Sequence, residues 1–209
     1  MIENIEPSAI ETRSFEIITE ELARLGKVIP KENELVVKRA IHTTADFEYA
    51  DNLVFSEDAV KKGIEAFKSG CDVVTDTQMI KAGMNKTILA KLGGEVHCFI
   101  ADEDVAKEAK SRGVTRALVS MEKAAKLTKP CVFAIGNAPT ALIRLHELID
   151  AGEVKPLLVI GVPVGFVNVV ESKELIMQSD VPYIVEKGRK GGSNVAAAIL
   201  NAIMYQITR

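Results

Sequence analysis

The sequence predicts an α/β protein with a mostly parallel β-sheet and helices on both of its faces. Short apolar segments rich in β-branched residues alternate with segments whose apolar residues recur at helical spacing, which is typical of βαβ units. Residues 71–76 (CDVVTD) have the short apolar character of a strand buried on both faces. Because 209 residues suffice for one well-buried core, we expect a single three-layer domain over residues 1–209.

The first predicted helices are bounded by residues that commonly start or stop a helix. Ser14 precedes an apolar stripe and Gly26 follows it, which predicts a helix over residues 14–25 with Ser14 as its cap. A second apolar pattern predicts a helix over residues 31–40. This second helix would place His42 at or just past its C-terminal end.

Helices and strands then alternate to the end of the sequence. Ser56 is a candidate N-cap for a helix over residues 54–68. Further helices or helical turns are expected over residues 77–82, 86–92, 104–112, 115–125, 139–151, 171–178 and 193–205. Strands are expected over residues 71–76, 95–100, 130–135, 156–162 and 182–185. The apolar helical segments 142–149 and 196–203 suit either the core or a subunit interface.

The composition excludes several functional classes. The chain has 47% hydrophobic residues, 26% charged residues and a net charge of −3, without the basic stripe of a nucleic-acid-binding protein. The apolar run 157–167 is too short and too rich in Gly and Pro to span a bilayer. Residues 1–7 are acidic and lack the basic and apolar regions of a signal peptide, so we expect a cytoplasmic protein.

The cysteines and histidines show no metal-binding pattern. Cys71, Cys98 and Cys131 are far apart, and the three histidines lack the spacing of metal ligands. We therefore expect three buried, apolar cysteines and no bound metal. The sequence also lacks a GxSxG turn, which argues against a serine nucleophile.

The stretch 36–51 combines cations, an imidazole, hydroxyls and three carboxylates behind a short apolar run. One interpretation is a proton-transfer site, because histidine is the side chain whose unperturbed pKa lies near neutral and His42 stands close to Arg39 and Asp46 in the sequence. The other is an ordinary helix junction, in which Thr43, Thr44 and Asp46 cap helix ends. The residue types alone support both interpretations.

Ligands of parallel sheets bind at the carboxyl ends of the strands, and the segments that follow the predicted strands are unusual here. In the segment 134–142 (AIGNAPTAL), a turn at Gly136 precedes a helix, which would leave backbone N–H groups free for an anion. In the segment 161–168 (GVPVGFVN), Gly161 and Gly165 would let the backbone lie close to a ligand. We therefore expect a ligand at this edge of the sheet.

The loop 187–194 (KGRKGGSN) carries the strongest anion-binding signal. Arg189 and Lys190 supply charge, Gly191 and Gly192 supply a permissive backbone, and Ser193 can cap the following helix. The alternative is a surface turn with solvated charges. The loop matches neither GxGxxG nor GxxxxGK[ST], so a carboxylate-bearing ligand is expected rather than a nucleotide.

Four segments, taken in order, resemble the signature blocks of the precorrin-8X methylmutase family, also called cobalt-precorrin-8 methylmutase. They are 39–46 (RAIHTTAD), 134–142, 161–168 with 171–173 (ESK), and 188–193 (GRKGGS). The resemblance implies an isomerase of cobalamin biosynthesis that moves a methyl group from C-11 to C-12 of precorrin-8X or cobalt-precorrin-8, giving hydrogenobyrinate or cobyrinate. It also implies an α/β homodimer with the substrate near the subunit interface, and a reaction that needs no cofactor.

The resemblance assigns roles to individual residues. His42 corresponds to the catalytic histidine, a proton donor and acceptor, and Ser14 and Arg39 correspond to substrate-contacting residues. Arg116 matches a further arginine of the family. We expect the rest of the substrate-binding residues in the glycine-rich loop: Gly188, Arg189, Lys190, Gly191, Gly192 and Ser193.

Two other classes of protein compete with the methylmutase interpretation. A tetrapyrrole carrier would bind the macrocycle without chemistry and would tolerate the loss of His42. A Rossmann-like nucleotide-binding enzyme would show a phosphate-binding fingerprint after its first strand, and the sequence has none there.

Overall fold

Six strands form one sheet in the computed structural model, which describes residues 5–208. They are β1 (Leu53–Phe55), β2 (Asp72–Thr75), β3 (Val96–His97), β4 (Cys131–Ile135), β5 (Leu158–Gly161) and β6 (Tyr183–Glu186). Their order across the sheet is β1-β6-β5-β4-β2-β3. Every neighbouring pair is parallel except β1 and β6, which are antiparallel.

Eleven α-helices connect and cover these strands in the described part of the chain, after a 3₁₀ turn at Pro7–Ala9. They are α1 (Ile10–Arg24), α2 (Glu34–Thr44), α3 (Tyr49–Asn52), α4 (Ala59–Lys68), α5 (Gln78–Gly83), α6 (Lys86–Lys91), α7 (Glu103–Arg112), α8 (Arg116–Ala124), α9 (Pro139–Asp150), α10 (Val169–Gln178) and α11 (Ser193–Thr208). None of the helices within residues 5–208 combines the length and the apolar character needed to cross a membrane.

The helices divide between the two faces of the sheet. Successive side chains of a strand point to opposite faces, so Val73 joins the core beneath α2, α4 and α11 while Val74 joins the core beneath α8, α9 and α10. The predicted three-layer α/β architecture with a mostly parallel sheet is confirmed. The helical segments 142–149 and 196–203 supply core residues to these two layers, including Leu145 and Ile199, which are fully buried.

The edge strand β1 was not expected, because residues 54–68 were predicted to form one helix. Leu53 to Phe55 instead pair with β6, which uses their backbone groups in the sheet and buries Leu53. Ser56 does not cap a helix: its Oγ accepts a hydrogen bond from Tyr183 N at 2.9 Å, and its own N–H donates to Tyr183 O. The helix α4 begins only at Ala59.

The helix α1 begins four residues before the predicted start at Ser14. Ser14 lies inside the helix, and its Oγ donates to the carbonyl of Ile10 at 2.9 Å, so the prediction that Ser14 caps the helix was wrong. The next helix, α2, runs beyond the predicted end and includes His42 in its last turn. It ends at Thr44, and the next residue, Ala45, has a left-handed backbone (φ 55°) and donates its N–H to Ile41 O.

Gly191 lies where two backbone segments meet at the carboxyl edge of the sheet. Its φ is +143°, and a Cβ added there would lie 2.1 Å from the carbonyl oxygen of Val162. The next residue, Gly192, donates its N–H to that same carbonyl at 2.9 Å. The segment after β6 can therefore lie directly on the segment after β5 only because residue 191 has no side chain.

We expect Gly191→Ala to lower the free energy of unfolding by roughly 3 kcal/mol, because the new methyl group meets a backbone carbonyl at a φ that L-residues rarely adopt. Gly152→Ala is the matched control, since Gly152 also has a positive φ (72°) but open space around its Cβ position. That control should cost only about 1–2 kcal/mol. Urea unfolding of both variants checks the difference, and equal losses would contradict the close approach.

Candidate active site

The carboxyl ends of the parallel strands form one edge of the sheet, which we call the rim. The antiparallel strand β1 starts at this edge, because Leu53 lies opposite Glu186, the last residue of β6. The chain that precedes β1, including the end of α2, therefore reaches the rim as well. The segments that form the rim are 42–52, 75–77, 135–138, 162–168 and 187–193.

His42 presents an exposed imidazole at the rim. Within the described residues its ring packs against Phe15 of α1, with 5.5 Å between the ring centroids. Phe15 also lies beneath the guanidinium of Arg39, at 4.7 Å from Cζ to the ring centroid. One aromatic ring thus brings together the predicted catalytic histidine and the predicted substrate-contacting arginine, while one face of the imidazole stays accessible.

Arg39 is held by several neighbours. Its Nη2 donates to Glu11 Oε1 at 2.7 Å, and its Cζ also lies 5.7 Å from the centroid of the Tyr205 ring. A guanidinium has five N–H donors, so the contact with Glu11 leaves it capacity for a second carboxylate. A cavity of about 400 Å³ opens beside it, lined by Phe15, Leu35, Arg39, Ala202, Tyr205 and Gln206.

The other residues assigned by resemblance lie at different distances from this pair. Ser14 is half-buried and directly precedes Phe15, so the structure brings it into the neighbourhood of His42. Arg116 is exposed at the first position of α8, on the opposite face of the sheet from α2. Thr115 links this point to the start of α9 through a 2.8 Å hydrogen bond to Thr140. Arg116 thus reaches the rim from the other helix layer, away from His42.

The glycine-rich loop meets the stretch after α2 through an ion cluster. Lys190 Nζ donates to Asp46 and also lies 3.0 Å from Glu48. The hydrogen bonds that Lys190 donates to these two carboxylates raise its pKa to about 12, and the hydrogen bond from Lys190 lowers the pKa of Asp46. Asp46 therefore ties two segments of the rim together, and its carboxylate is directed at Lys190.

The backbone N–H groups of the loop are used inside the protein, contrary to the prediction that they face a ligand. Gly192 N–H bonds to Val162 O, and the N–H of Gly191 lies beside the hydroxyl of Tyr49, whose pKa burial raises to about 12. The prediction that Ser193 caps α11 was also wrong: the helix starts at Ser193, and its Oγ lies 2.9 Å from Thr77 Oγ1. The glycines shape the loop by allowing close backbone contacts.

Arg189 is an exposed cation of this loop. Its guanidinium lies 5.6 Å from the ring of Phe166, which is 81% exposed on the segment after β5. Its carbonyl accepts the N–H of Gly165 at 3.1 Å, so that N–H group, too, is unavailable to a ligand. Arg189 and Phe166 together offer a cation and an apolar ring at the outer surface of the rim.

The strand order reverses between β2 and β4, and a buried carboxylate fills the crevice at this point. Asp76, directly after β2, accepts hydrogen bonds from the N–H groups of Gly136, Asn137 and Ala138 at 2.7–3.0 Å. The prediction that the turn at Gly136 leaves free N–H groups was therefore wrong. Burial raises the pKa of Asp76, whereas the three hydrogen bonds act in the opposite direction.

A buried ion pair beneath the loop was not singled out from the sequence. Lys173 Nζ lies 2.6 Å from Glu186 Oε2, and both side chains are only 1% exposed. A signal was present, because Val169, Ser172, Lys173 and Ile176 have the i, i+3, i+4, i+7 spacing of a buried helix face. A lysine in that pattern indicates a charge held in the interior.

A larger cavity than the one beside Arg39 lies away from the rim. It measures about 720 Å³ and is lined by residues near the starts of β4 and β5, including Pro130, Cys131 and Leu157. None of the predicted site residues lines it. Cys71, Cys98 and Cys131 are free and buried, as predicted. Residues 5–208 contain no group of three His, Cys, Asp or Glu side chains placed to hold a metal ion.

Comparisons with known proteins cover almost the whole chain. Residues 9–206 match the family model described as precorrin-8X methylmutase. The cobalt-precorrin-8 methylmutase of Priestia megaterium is 50% identical over 95% of this chain and 88% of its own length. The precorrin-8X methylmutase of Pseudomonas aeruginosa is 38% identical over 93% of each chain.

A solved structure supports the same relationship. It is described as a precorrin-8x methyl mutase from Thermus thermophilus, and it superimposes with a TM-score of 0.85 at 40% identity. The match covers 94% of this chain and 96% of that one. The chain therefore belongs to the precorrin-8X methylmutase family, the intramolecular isomerases of cobalamin biosynthesis.

Proposed function

We propose that this enzyme moves the methyl group from C-11 to C-12 of precorrin-8X or cobalt-precorrin-8, giving hydrogenobyrinate or cobyrinate, with His42 as proton donor and acceptor. The observation that carries the proposal is the exposed imidazole of His42 at the rim, with Phe15 packed against both it and Arg39. Family membership supports an isomerase rather than a carrier.

The chemistry needs one group that gives a proton and takes one back. Substrate and product are isomers, so a proton that His42 adds to the macrocycle must return to the enzyme at the end of the turnover. The added proton polarises the conjugated system and makes the methyl group mobile. One positioned acid or base of this kind contributes roughly 10²–10⁴-fold to a rate.

The remaining task is to hold a large polycarboxylate in one conformation. Arg39 and Arg189 provide exposed or partly exposed guanidinium groups, which suit carboxylates in bidentate geometry. Ser14 contributes a hydroxyl beside Phe15, and Arg116 a charge from the other helix layer. In this proposal Gly188, Lys190, Gly191, Gly192 and Ser193 shape the loop, because their hydrogen bonds and ion pairs are made within the protein.

His42→Ala should lower turnover by roughly 10²–10⁴-fold while leaving product binding largely intact, because the imidazole moves a proton but does not bear the binding charge. Turnover is followed by the absorbance of the corrin formed from a C-11-methylated precursor, and binding by titration with the product. His146→Ala is the matched control, since His146 contacts Ser179 and Asp150 on another helix layer. A fully active His42→Ala enzyme would remove His42 from the mechanism.

Arg39→Ala should weaken product binding by about 1.5–3 kcal/mol, the typical value of one lost hydrogen bond to a charged group. Calorimetric titration with the product measures this loss. Arg24→Ala serves as the control, because Arg24 also lies in an ion pair, with Glu21, but on the exposed surface of α1. Wild-type affinity in the Arg39 variant would contradict its role as a carboxylate clamp.

We also propose that residues 1–209 act as one cytoplasmic domain that assembles as a homodimer. Exposed apolar side chains on α1, on α2 and on the turn between them support this assembly: Ile10, Ile17, Leu25, Val28 and Leu35. A partner that covers this surface would also approach the cavity beside Arg39, because Leu35 belongs to both.

Val28→Asp should shift the protein from dimer to monomer, because Val28 is 94% exposed and a buried aspartate at an interface would lack a partner. Sedimentation equilibrium of the purified protein measures the two states. Met79→Asp, at a residue 65% exposed on α5, is the control and should leave the dimer intact. Dissociation of both variants to the same extent would argue against this surface.

A further inference from the structure

Lys173 is a charged residue in the interior of the protein. Its side chain is 1% exposed, in the helix face that α10 turns toward the sheet. Moving an ammonium group out of water costs several kcal/mol unless it is paired and fully hydrogen-bonded. The hydrogen-bond partners of Lys173 therefore indicate the function that its burial serves.

The ammonium has three acceptors, one for each of its N–H donors. They are Glu186 Oε2 at 2.6 Å, the carbonyl of Gly188 at 2.8 Å and the carbonyl of Lys190 at 2.8 Å. Two of the three belong to the backbone of the glycine-rich loop. They are the carbonyls of the residues on either side of Arg189.

Arg189 is consequently anchored at three consecutive residues. Lys173 holds the carbonyls before and after it, and the N–H of Gly165 donates to the carbonyl of Arg189 itself at 3.1 Å. The guanidinium remains exposed beside Phe166. A buried cation thus fixes the backbone that carries an exposed one.

Glu186 is buried at a cost in stability that a pair with a purely structural role would not require. Its Oε1 is buried and has no hydrogen-bond partner among the described residues. A buried unsatisfied acceptor is destabilising, and a buried ion pair is often replaceable by apolar residues without loss of stability. Burial also raises the pKa of Glu186 and lowers the pKa of Lys173, although their mutual hydrogen bond opposes both changes.

We propose that Lys173, held by Glu186, is a positioning residue for the methylmutase reaction: its bonds to the carbonyls of Gly188 and Lys190 orient Arg189 toward a carboxylate of the macrocycle. The inference rests on the proposed function, since it requires the substrate to bind at the rim. Lys173 itself lies beneath the loop and acts through Arg189.

The decisive variant replaces the whole pair, Lys173→Met with Glu186→Met. Lys173→Met alone leaves Glu186 as an uncompensated buried acid and should be strongly destabilised. The double variant removes both charges and should recover much of the melting temperature. Because the loop carbonyls then lack their donor, its kcat/KM should still fall by roughly 10²-fold, and its affinity for the product should fall as well.

A double-mutant cycle with Arg189 distinguishes positioning from a general loss of structure. Arg189→Ala should weaken product binding in the wild-type background and have little further effect in the Lys173→Met/Glu186→Met background, because Arg189 is already misplaced there. Equal losses in both backgrounds would overturn the inference. Wild-type turnover and product affinity in the folded double variant would overturn it too.

Two further measurements keep the test decisive. If the double variant does not fold, Glu186→Gln replaces it, because the amide keeps the shape of the side chain and Lys173 keeps its bonds to both loop carbonyls. The affinity of this variant for the product should stay close to that of the wild type. A large loss of affinity in a folded Glu186→Gln enzyme would refute positioning through the carbonyls. Wild-type turnover is measured in parallel. An inactive wild type refutes the proposed function, whereas an active wild type with an equally active double variant refutes only the role of Lys173.

Discussion

The antiparallel pairing of β1 with β6 determines where the candidate active site lies. Because Leu53 lies opposite Glu186, the chain that enters β1 comes from the edge where the parallel strands end. The hydrogen bond from Lys187 N to Asn52 O, at 2.7 Å, continues this pairing beyond the strands. A parallel β1 would have placed the end of α2 at the other edge of the sheet. The contact of Asp46, four residues after His42, with Lys190 of the glycine-rich loop is thus a consequence of strand direction.

At the rim, backbone N–H groups donate hydrogen bonds to other groups of the protein, so the recognition of a ligand is left to side chains. The N–H groups of Gly165 and Gly192 are bonded to carbonyls of neighbouring segments. Lys190 is paired with Asp46 and Glu48, whereas the side chains of Lys187 and Arg189 are exposed and give the loop its outward charge. A ligand with many carboxylates would meet arginines on a rigid surface, which lowers the entropy lost on binding.

Much of the fold could be predicted from the sequence because buried parallel strands have a clear local pattern. Segments such as 131–135 are continuously apolar and bounded by Pro or Gly. The strand at 53–55 could not be recognised, since three apolar residues before a Ser also suit a helix start, and only pairing with a segment about 130 residues later decides between them. Long-range contacts also explain why the sequence did not reveal that Lys173, Glu186 and Asp76 hold the segments of the rim together. The residue types of the stretch 36–51 pointed to Arg39 and His42, and the resemblance then gave them separate roles. The Phe15 ring between them became visible only in the structure.

The carboxylate of Asp76 has a consequence for the choice of ligand inside a cell. In doubly wound folds the crevice where the strand order reverses is the usual cradle for a phosphate. Here an internal anion already occupies the three N–H groups of that cradle. Abundant anions such as ATP and inorganic phosphate therefore find these three N–H donors already occupied. A biosynthetic intermediate with many carboxylates would instead be recognised farther out along the rim, by side chains.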